Sequence, residues 1–322
     1  MTSKKTIMIL ATGGTIAGSG ENGKTTGYNS GVIEAKELIC AIPQLSELAN
    51  IKVNQICNVN SDDITSNIWI SLAKVINEMS TKVDGFVITH GTDTLEETAY
   101  FLNLVIKTDK PVVLTGSMRP STSLSADGPM NLYEAVCVAT DESSIGRGVL
   151  VVFADKIYTA RDVIKCNTYN LMAISAGEMG SIGVVRDERV EFYGSSSKLH
   201  TINSEFDIRN VNVLPKVSVV YFNVDSDVRI LKYAAEISEG LVIAGAGAGE
   251  FSKEYIEAIS NIDIPVVISS RVNDGIISQS SLLCENTIAA NNLPPQKAAV
   301  LLRLALTRYS DKENLVKLFS SY

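Results

Sequence analysis

Two threonines, each flanked by glycine, lie where a parallel sheet would present them to a substrate. Thr15 stands in Ala11-Thr12-Gly13-Gly14-Thr15-Ile16-Ala17, and Thr92 in Thr89-His90-Gly91-Thr92-Asp93-Thr94. Each follows an apolar run typical of a strand, and open parallel sheets bind ligands beyond the carboxyl ends of their strands. A threonine hydroxyl becomes a useful nucleophile when a base lies within hydrogen-bond reach. One isolated threonine would be better explained as a turn residue, but two matched cases, one beside Asp93, favour catalysis.

The elements that would position these threonines alternate between strand and helix. Strands are predicted from β-rich apolar runs and helices from a 3.6-residue apolar period. The predicted strands are Thr6–Ala11, Gly85–Thr89, Pro111–Thr115, Gly148–Phe153, Val217–Phe222, Gly240–Ala244 and Ile264–Ser269. The predicted helices are Asn67–Met79, Leu95–Ile106 with Thr94 as its cap, and Gln296–Tyr309. This alternation indicates an α/β fold, in which parallel sheets are covered by helices on both faces.

The chain is long enough for two domains, because 322 residues exceed the roughly 250–300 that one core usually holds. The alternation falters in a polar stretch that contains Ser195-Ser196-Ser197. We therefore expect an N-terminal α/β domain at 1–193, a linker at 194–216 and a smaller C-terminal α/β domain at 217–322.

Composition excludes several classes of function. The formal net charge of -8 leaves no basic surplus to neutralise phosphates, so neither a nucleic acid nor an anionic membrane is an expected partner. Five cysteines without a CxxC spacing and only two histidines indicate free thiols in a reducing compartment, with no zinc site. The apolar run Ile7–Ala11, which follows Met1–Thr6, is too short for the core of a signal peptide and suits a first strand better. The expected location is the cytoplasm, although an exported form with a trimmed signal stays open.

A nucleotide-binding motif offers a different function. The residues Gly18–Thr25 match the P-loop pattern GxxxxGK[ST], which predicts an ATPase or GTPase. A P-loop, however, leaves its strand directly and opens a helix, whereas the predicted strand here ends near Ala11 and glycines follow Thr25. Nucleotide binding is therefore the disfavoured alternative. The glycines from Gly18 to Gly31 favour a mobile loop, a candidate lid over a site.

The two threonine motifs resemble the signature sequences of the bacterial-type L-asparaginases, in the asparaginase/glutaminase family. The resemblance continues through Asp84–Phe101, Pro111–Leu132, Arg161–Asn167, Ser269–Val272 and Asn292–Thr307, and so covers essentially the whole chain. It implies a two-domain asparaginase fold whose larger domain is flavodoxin-like, in a homotetramer built from two intimate dimers. It also implies hydrolysis of L-asparagine to L-aspartate and ammonia without metal or cofactor. Because a pocket discriminates one methylene by only about 1–3 kcal/mol, we expect minor glutaminase activity beside it.

The resemblance also implies roles for individual residues. Thr15 would be the nucleophile that forms an acyl-enzyme, and Tyr28 on the glycine-rich loop would be its partner. Thr92 and Lys165, with Asp93, would activate the attacking water or, in another view, the nucleophile. Free tyrosine and lysine have reference pKa values of about 10 and about 10.4, so neither type is a ready base at pH 7 and the proton acceptor is left open. The substrate contacts implied are Ser61, Asp62, Thr92, Asp93 and the backbone carbonyl of Ser117.

Three departures from the family bear on specificity. Asp62 stands where relatives often carry Gln or Glu, and Leu283 stands where many relatives have an acidic residue that reaches the partner subunit's site. Glu250 occupies a position that is usually neutral and polar. We hypothesise that Glu250 replaces the missing carboxylate and binds the substrate's α-amino group from the partner subunit. A solvated glutamate that starts a helix over Phe251–Ile259 is an equally good interpretation, since acidic residues favour first turns.

A third class of function is a non-catalytic relative or a tRNA-amidotransferase subunit. The intact set of catalytic residue types disfavours the non-catalytic relative. The absence of a basic surplus disfavours the tRNA-dependent function.

Overall fold

The chain divides into two compact units, Met1–Asn210 and Val211–Tyr322, in a computed structural model that describes residues 4–29 and 31–322. The boundary between the two units lies inside the stretch 194–216 that the sequence predicts as a linker. The exact limits of the domains stay a prediction.

The first unit carries most of the secondary structure. Its strands are β1 (Thr6–Gly13), β2 (Asn50–Val59), β3 (Gly85–Thr89), β4 (Val112–Thr115), β5 (Val149–Phe153), β6 (Lys156–Thr159), β7 (Ile164–Lys165), β8 (Ile174–Ser175), β9 (Gly183–Arg186) and β10 (Arg189–Phe192). Its helices are α1 (Ala35–Cys40), α2 (Leu45–Leu48), α3 (Ser66–Met79), α4 (Leu95–Val105) and α5 (Gly128–Thr140).

An eight-stranded sheet forms the centre of this unit, in the order β10-β9-β6-β5-β4-β3-β1-β2. The strands β2, β1, β3, β4 and β5 are parallel, and β6, β9 and β10 extend them in antiparallel fashion. The parallel order 2-1-3-4-5 is that of flavodoxin-like folds, whose ligands bind where the strand order reverses, between β1 and β3. The fold class predicted from the sequence is confirmed.

Helices cover both faces of this sheet because its central strands are apolar on both sides. Every residue of β3 is buried, and side chains that alternate along β1 and β5 share one core with α1, α2 and α5. On the other face, Trp69 of α3 stacks on Phe101 of α4, with ring centroids 5.2 Å apart. The helices thereby hold the sheet rigid beneath the ends of its strands.

The second unit is a smaller α/β layer. A four-stranded parallel sheet has the order β11-β12-β13-β14, with its own apolar core. The strands are β11 (Val217–Tyr221), β12 (Gly240–Gly245), β13 (Val266–Ser270) and β14 (Thr287–Ala289), and the helices are α6 (Val228–Glu236), α7 (Lys253–Ser260), α8 (Pro295–Ala305) and α9 (Lys312–Ser321).

All seven predicted strands are present with ends that shift by at most two residues, but three helix predictions need correction. The last predicted helix is too long, because α8 ends at Ala305 and a turn follows. Thr94 precedes α4, yet its hydroxyl does not cap the helix and instead donates to the carbonyl of Ser61, 2.7 Å away. The helix expected over Phe251–Ile259 begins only at Lys253, where Ser252 caps it, so Glu250 lies outside its first turn.

Candidate active site

The carboxyl ends of four neighbouring strands carry the residues that the sequence singles out. Thr15 follows β1, Ser61 follows β2, Thr92 follows β3 and Ser117 follows β4. These strands are adjacent and parallel in the order β2-β1-β3-β4, so their carboxyl ends meet at one edge of the sheet. The site therefore forms at the reversal of strand order, as the fold predicts.

Two glycines allow the loops that carry the threonines to touch. Gly14 has a φ of 79°, and a Cβ atom built there would lie 2.3 Å from the backbone nitrogen of Gly91. A Cβ on Gly91 would lie 2.8 Å from Oγ of Ser61. Any larger residue would separate these backbones, so both glycines are needed to bring the residues after β1, β2 and β3 into one site.

The first threonine is paired with a tyrosine from the glycine-rich loop. The hydroxyls of Thr15 and Tyr28 share a hydrogen bond of 2.8 Å, in which either atom can donate. Thr15 is 9% exposed, so its hydroxyl is shielded yet accessible from the site. The loop itself is a hairpin closed by two backbone hydrogen bonds of 3.0 Å between Ser19 and Asn29. This pair has the geometry of a nucleophile and a hydroxyl partner.

The second threonine is paired with a lysine and an aspartate. Nζ of Lys165 donates to Oγ1 of Thr92 at 2.8 Å and to Oδ1 of Asp93 at 2.6 Å. The Thr92 hydroxyl in turn lies 3.5 Å from Sδ of Met118, to which it donates. The Lys165 side chain is 14% exposed and that of Asp93 65% exposed, so the ion pair runs from the interior to the open side of the site.

A buried carboxylate fixes the backbone of Lys165. The amide of Lys165 donates to Oε2 of Glu96, 2.5 Å away and 69 positions earlier in the chain. Glu96 is 5% exposed and lies in the first turn of α4, directly after the segment that holds Thr92 and Asp93. The Glu96 side chain therefore ties Lys165 to α4, the helix that begins directly after the Thr92–Thr94 segment.

A buried polar chain supports the loop after β3. Nε1 of Trp69 donates to Oγ1 of Thr98 (2.7 Å), whose hydroxyl donates to Nε2 of His90 (2.9 Å), and Nδ1 of His90 donates to the carbonyl of Gly91 (2.7 Å). Each donor has one acceptor, which assigns the neutral tautomer of His90 with its proton on Nδ1. Burial lowers the pKa of His90 to about 4, against a smaller opposing effect of the Gly91 carbonyl. A neutral, fully bonded His90 thus locks the residue before Thr92.

An open, acidic cleft of about 360 Å³ lies against these residues. Its polar walls include the two carboxylates Asp62 and Asp93, which suit a ligand with a positive group. The full lining is Gly14, Thr15, Tyr28, Asn29, Asn60, Ser61, Asp62, Gly91 and Asp93.

Five of the predicted site residues line the cleft, namely Thr15, Tyr28, Ser61, Asp62 and Asp93, and Lys165 is hydrogen-bonded to Thr92 and Asp93. Ser117 is completely buried, and its hydroxyl donates to the carbonyl of Arg119 at 2.9 Å. Its backbone carbonyl, the atom predicted to contact the leaving amide, stays a prediction. Glu250 belongs to the second unit, where it is exposed in the turn after β12.

No group of three or more His, Cys, Asp or Glu side chains in residues 4–29 and 31–322 is arranged to hold a metal ion. Within that same part of the chain, no helix is long and apolar enough to cross a membrane.

Several supporting residues escape sequence reasoning. From the sequence alone, Glu96 is interpreted as an ordinary acidic residue in a first helical turn. Trp69 and Thr98 are interpreted as residues that pack two helices. Only the fold brings them to the site. His90 stands inside a signature motif, and the scarcity of histidine in the chain could have marked it as structural or catalytic.

Comparison with known proteins assigns both units. Residues 6–198 match the family model "Asparaginase, N-terminal", and residues 216–319 match "Glutaminase/Asparaginase C-terminal domain". The chain is 42% identical to L-asparaginase 2 of Escherichia coli over 98% of its own length and 93% of that protein. It is 38% identical to a glutaminase-asparaginase of Pseudomonas fluorescens over 98% of its length and 90% of that protein.

A solved structure shows the same fold throughout. The crystal structure of a probable cytoplasmic L-asparaginase from Campylobacter jejuni superposes with a TM-score of 0.96 at 44% identity, covering 99% of this chain and 100% of that one. The sequence motifs, the strand order, the two matched models and this likeness agree. The resemblance noted from the threonine motifs is confirmed, and the chain belongs to the asparaginase/glutaminase family.

Proposed function

We propose that this chain hydrolyses L-asparagine to L-aspartate and ammonia through a covalent intermediate on Thr15. The observation that carries the proposal is the pairing of two threonine hydroxyls, one with Tyr28 and one with Lys165, beside an acidic cleft. Family membership makes the chain an amidohydrolase, and its relatives are named for asparagine and glutamine. A nucleotide-dependent function has no support, because after Thr25 the next helix is α1, which starts only at Ala35.

The reaction proceeds in two steps. Oγ1 of Thr15 attacks the carbon of the side-chain amide and loses its proton, while the amide nitrogen gains a proton and leaves as ammonia. Water then attacks the carbonyl carbon of the resulting ester; one proton of the water passes to Oγ1 of Thr15, the ester bond breaks and aspartate is released. Tyr28 lies where it can exchange a proton with Thr15, and Thr92 with Lys165 lies where it can orient either the water or the nucleophile. Both assignments of the base remain part of the proposal.

The acidic walls of the cleft favour the free amino acid as substrate. Asp62 and Asp93 attract the α-ammonium group, and Ser61 offers a hydroxyl to the α-carboxylate. The carbonyl of Ser117 is proposed to accept a hydrogen bond from the leaving amide. Because one methylene changes binding by only about 1–3 kcal/mol, we expect slower turnover of glutamine as well.

The decisive test is ammonia release from asparagine and glutamine, measured side by side without nucleotide or metal. We expect rapid release from asparagine and less from glutamine. Release that requires ATP and disappears in Lys24→Ala would instead favour the P-loop function.

We further propose a homotetramer of two intimate dimers, in which Glu250 of the partner subunit contacts the α-amino group of the substrate. Glu250 is exposed and its backbone is fixed by two hydrogen bonds with Ala246, so its side chain is available to a second copy. In Glu250→Gln we expect the KM for asparagine to rise several-fold with kcat retained, since only binding of the ammonium is weakened. Glu254→Gln, on the helix that follows, is the matched control. If Glu250→Gln and Glu254→Gln have the same KM for asparagine, Glu250 does not bind the ammonium group.

The proposed location is the cytoplasm. All five cysteines are free thiols, which is the usual state in a reducing compartment. Cell fractionation with a cytoplasmic marker tests this location directly.

A further inference from the structure

The part of the glycine-rich loop that carries Tyr28 is held by few side-chain hydrogen bonds, besides the Ser19–Asn29 backbone pair that closes the hairpin. The first part of the loop is fastened to the segment after β4, since the amides of Gly20 and Gly23 donate to Oγ1 (3.0 Å) and the carbonyl oxygen (2.9 Å) of Thr122. The second part, Lys24 to Tyr28, is different. Among the described residues, two side-chain hydrogen bonds leave it: Tyr28 to Thr15, and Thr25 to Tyr169.

The contact between Thr25 and Tyr169 joins the loop to a second element. The two hydroxyls lie 3.1 Å apart, across 144 positions of the chain. Tyr169 is 65% exposed, so its ring is not held in a core and its hydroxyl is presented to the loop. Thr25 lies three residues before Tyr28, which is close enough for its position to fix that of the Tyr28 backbone.

The turn that carries Tyr169 is well ordered by its own hydrogen bonds. Oδ1 of Asn167 accepts from the amides of Tyr169 (2.9 Å) and Asn170 (2.8 Å), and the amide of Cys166 donates to the carbonyl of Ala173 (2.8 Å). This turn connects β7 to β8, and β7 ends at Lys165, whose amide is anchored on Glu96. The same short hairpin therefore holds Lys165 against Thr92 at one end and contacts the Tyr28 loop at the other.

We propose that Tyr169, acting through Thr25, is a positioning residue that latches the loop and keeps Tyr28 against Thr15. The inference rests on the proposed function, because Tyr28 matters only if Thr15 is the nucleophile. The latch also links the positions of the Thr15–Tyr28 and Thr92–Lys165 pairs, since the β7–β8 hairpin contacts both. Opening of the latch would release Tyr28 while leaving the Thr92–Lys165 pair in place.

The test removes single hydroxyl groups from the latch. Tyr169→Phe and Thr25→Val each delete one partner of the hydrogen bond, and Thr25→Ser retains it. Tyr193→Phe, at another exposed tyrosine of the same unit, and Thr26→Val, at the neighbouring loop position, are the matched controls. The first readout is kcat/KM for asparagine. The second is the rate of tryptic cleavage after Lys24 in the presence of saturating aspartate, which reports loop opening without turnover.

We expect kcat/KM to fall roughly 2- to 10-fold in Tyr169→Phe and in Thr25→Val, the effect of losing one hydrogen bond. Cleavage after Lys24 should accelerate by a similar factor, while Thr25→Ser and both controls behave as the unaltered protein. The double variant should be no worse than either single one, because the same contact is lost only once.

Three results would overturn the latch: variants equal to their controls in both readouts, effects that multiply in the double variant, or a Thr25→Ser variant as impaired as Thr25→Val. Failure of the proposed function looks different. In that case the unaltered protein releases no ammonia from asparagine, and the cleavage rates alone decide whether Tyr169 holds the loop.

Discussion

The two threonines of the site are supported in opposite ways. Thr92 is 4% exposed, and the residues around it are held by buried hydrogen bonds. Glu96 accepts from the amide of Lys165, and His90 donates to the carbonyl of Gly91. Thr15 follows a strand of the same sheet, but its partner Tyr28 comes from a loop segment from which two side-chain hydrogen bonds extend, one to Thr15 and one to the exposed Tyr169. A rigid half and a closable half suit an enzyme that must admit a substrate and then exclude water around the reacting atoms.

The largest expected effect separates the two halves directly. Lys165→Met, which keeps the length of the side chain but removes its charge and donors, should lower kcat/KM for asparagine by about 10³-fold. Tyr28→Phe should lower it less, by roughly 10- to 100-fold, because water can replace a hydroxyl on an open loop. The measurement is steady-state ammonia release, with the exposed Lys82→Met as control. If Lys165→Met and Tyr28→Phe lose equal factors of kcat/KM, the distinction between the rigid Thr92–Lys165 pair and the loop-borne Tyr28 is wrong.

The next prediction concerns how the free energy of unfolding depends on acid through His90, which supports the loop that carries Thr92. The pKa of His90 is lowered from 6.5 to about 4 in the folded protein, so the unfolded chain takes up the proton first as the pH falls. Stability is therefore full above pH 6.5 and decreases towards pH 4, by an amount of order 3 kcal/mol. Urea unfolding at a series of pH values measures it.

His90→Gln is the informative variant, because its amide can still donate to Gly91 but does not titrate. We expect it to be less stable at neutral pH and to lose the part of the acid sensitivity that falls between pH 6.5 and 4. An unchanged pH dependence would show that His90 is not the residue responsible.

An effect of the opposite sign comes from a buried acid that, unlike His90, has an oxygen without a hydrogen-bond partner among the described residues. Glu134 of α5 is 1% exposed; its Oε2 accepts from the amide of Asp155 at 3.2 Å, but its Oε1 has no partner among the described residues. Burial, together with the neighbouring Asp155 carboxyl group and its charge, raises the pKa of Glu134 from 4.5 to about 8, against a smaller opposing effect of the hydrogen bond from the Asp155 amide. The stability that this group provides is thus full below pH 4.5 and is lost as the pH rises to 8, the opposite direction to His90.

Glu134→Gln should gain on the order of 4 kcal/mol of unfolding free energy at pH 8 relative to the unaltered protein, and much less at pH 5. The amide keeps an acceptor for Asp155 and supplies a donor towards its carboxylate. Denaturant unfolding at the two pH values checks this. A variant that is less stable at pH 8 would contradict the assignment of a protonated carboxyl at position 134.

Much of this architecture could be predicted from the sequence, because it depends on local patterns. The apolar runs give seven of the strands, and the glycine-flanked threonines after two of them indicate the edge at which a ligand binds. The strand β2, which has no buried residue and so no continuous apolar run, is not predicted. The failures concern contacts made over long separations. Thr94 has the residue type and position of a cap, but the carbonyl of Ser61, 33 positions away, competes for its hydroxyl.

The supporting contacts have the same origin. Glu96 meets Lys165 across 69 positions and Tyr169 meets Thr25 across 144, and no periodicity in the chain encodes either pairing. The sequence predicts the end of α8 too late for a different reason, because Leu306 continues the apolar pattern one residue past the end of the helix at Ala305. Helix ends are set by capping and tertiary contacts more than by composition.

The most direct test of the account is to capture the acyl-enzyme. The protein is mixed with asparagine, quenched in acid within the first turnovers, digested with trypsin and examined by mass spectrometry for the peptide 6–24. We predict an aspartyl ester that fragmentation assigns to Thr15. In Thr15→Ala the ester should be absent, and the activity should fall on the order of 10⁴-fold or more. An unmodified peptide, combined with a Thr15→Ala variant that deaminates asparagine at full rate, would contradict the account.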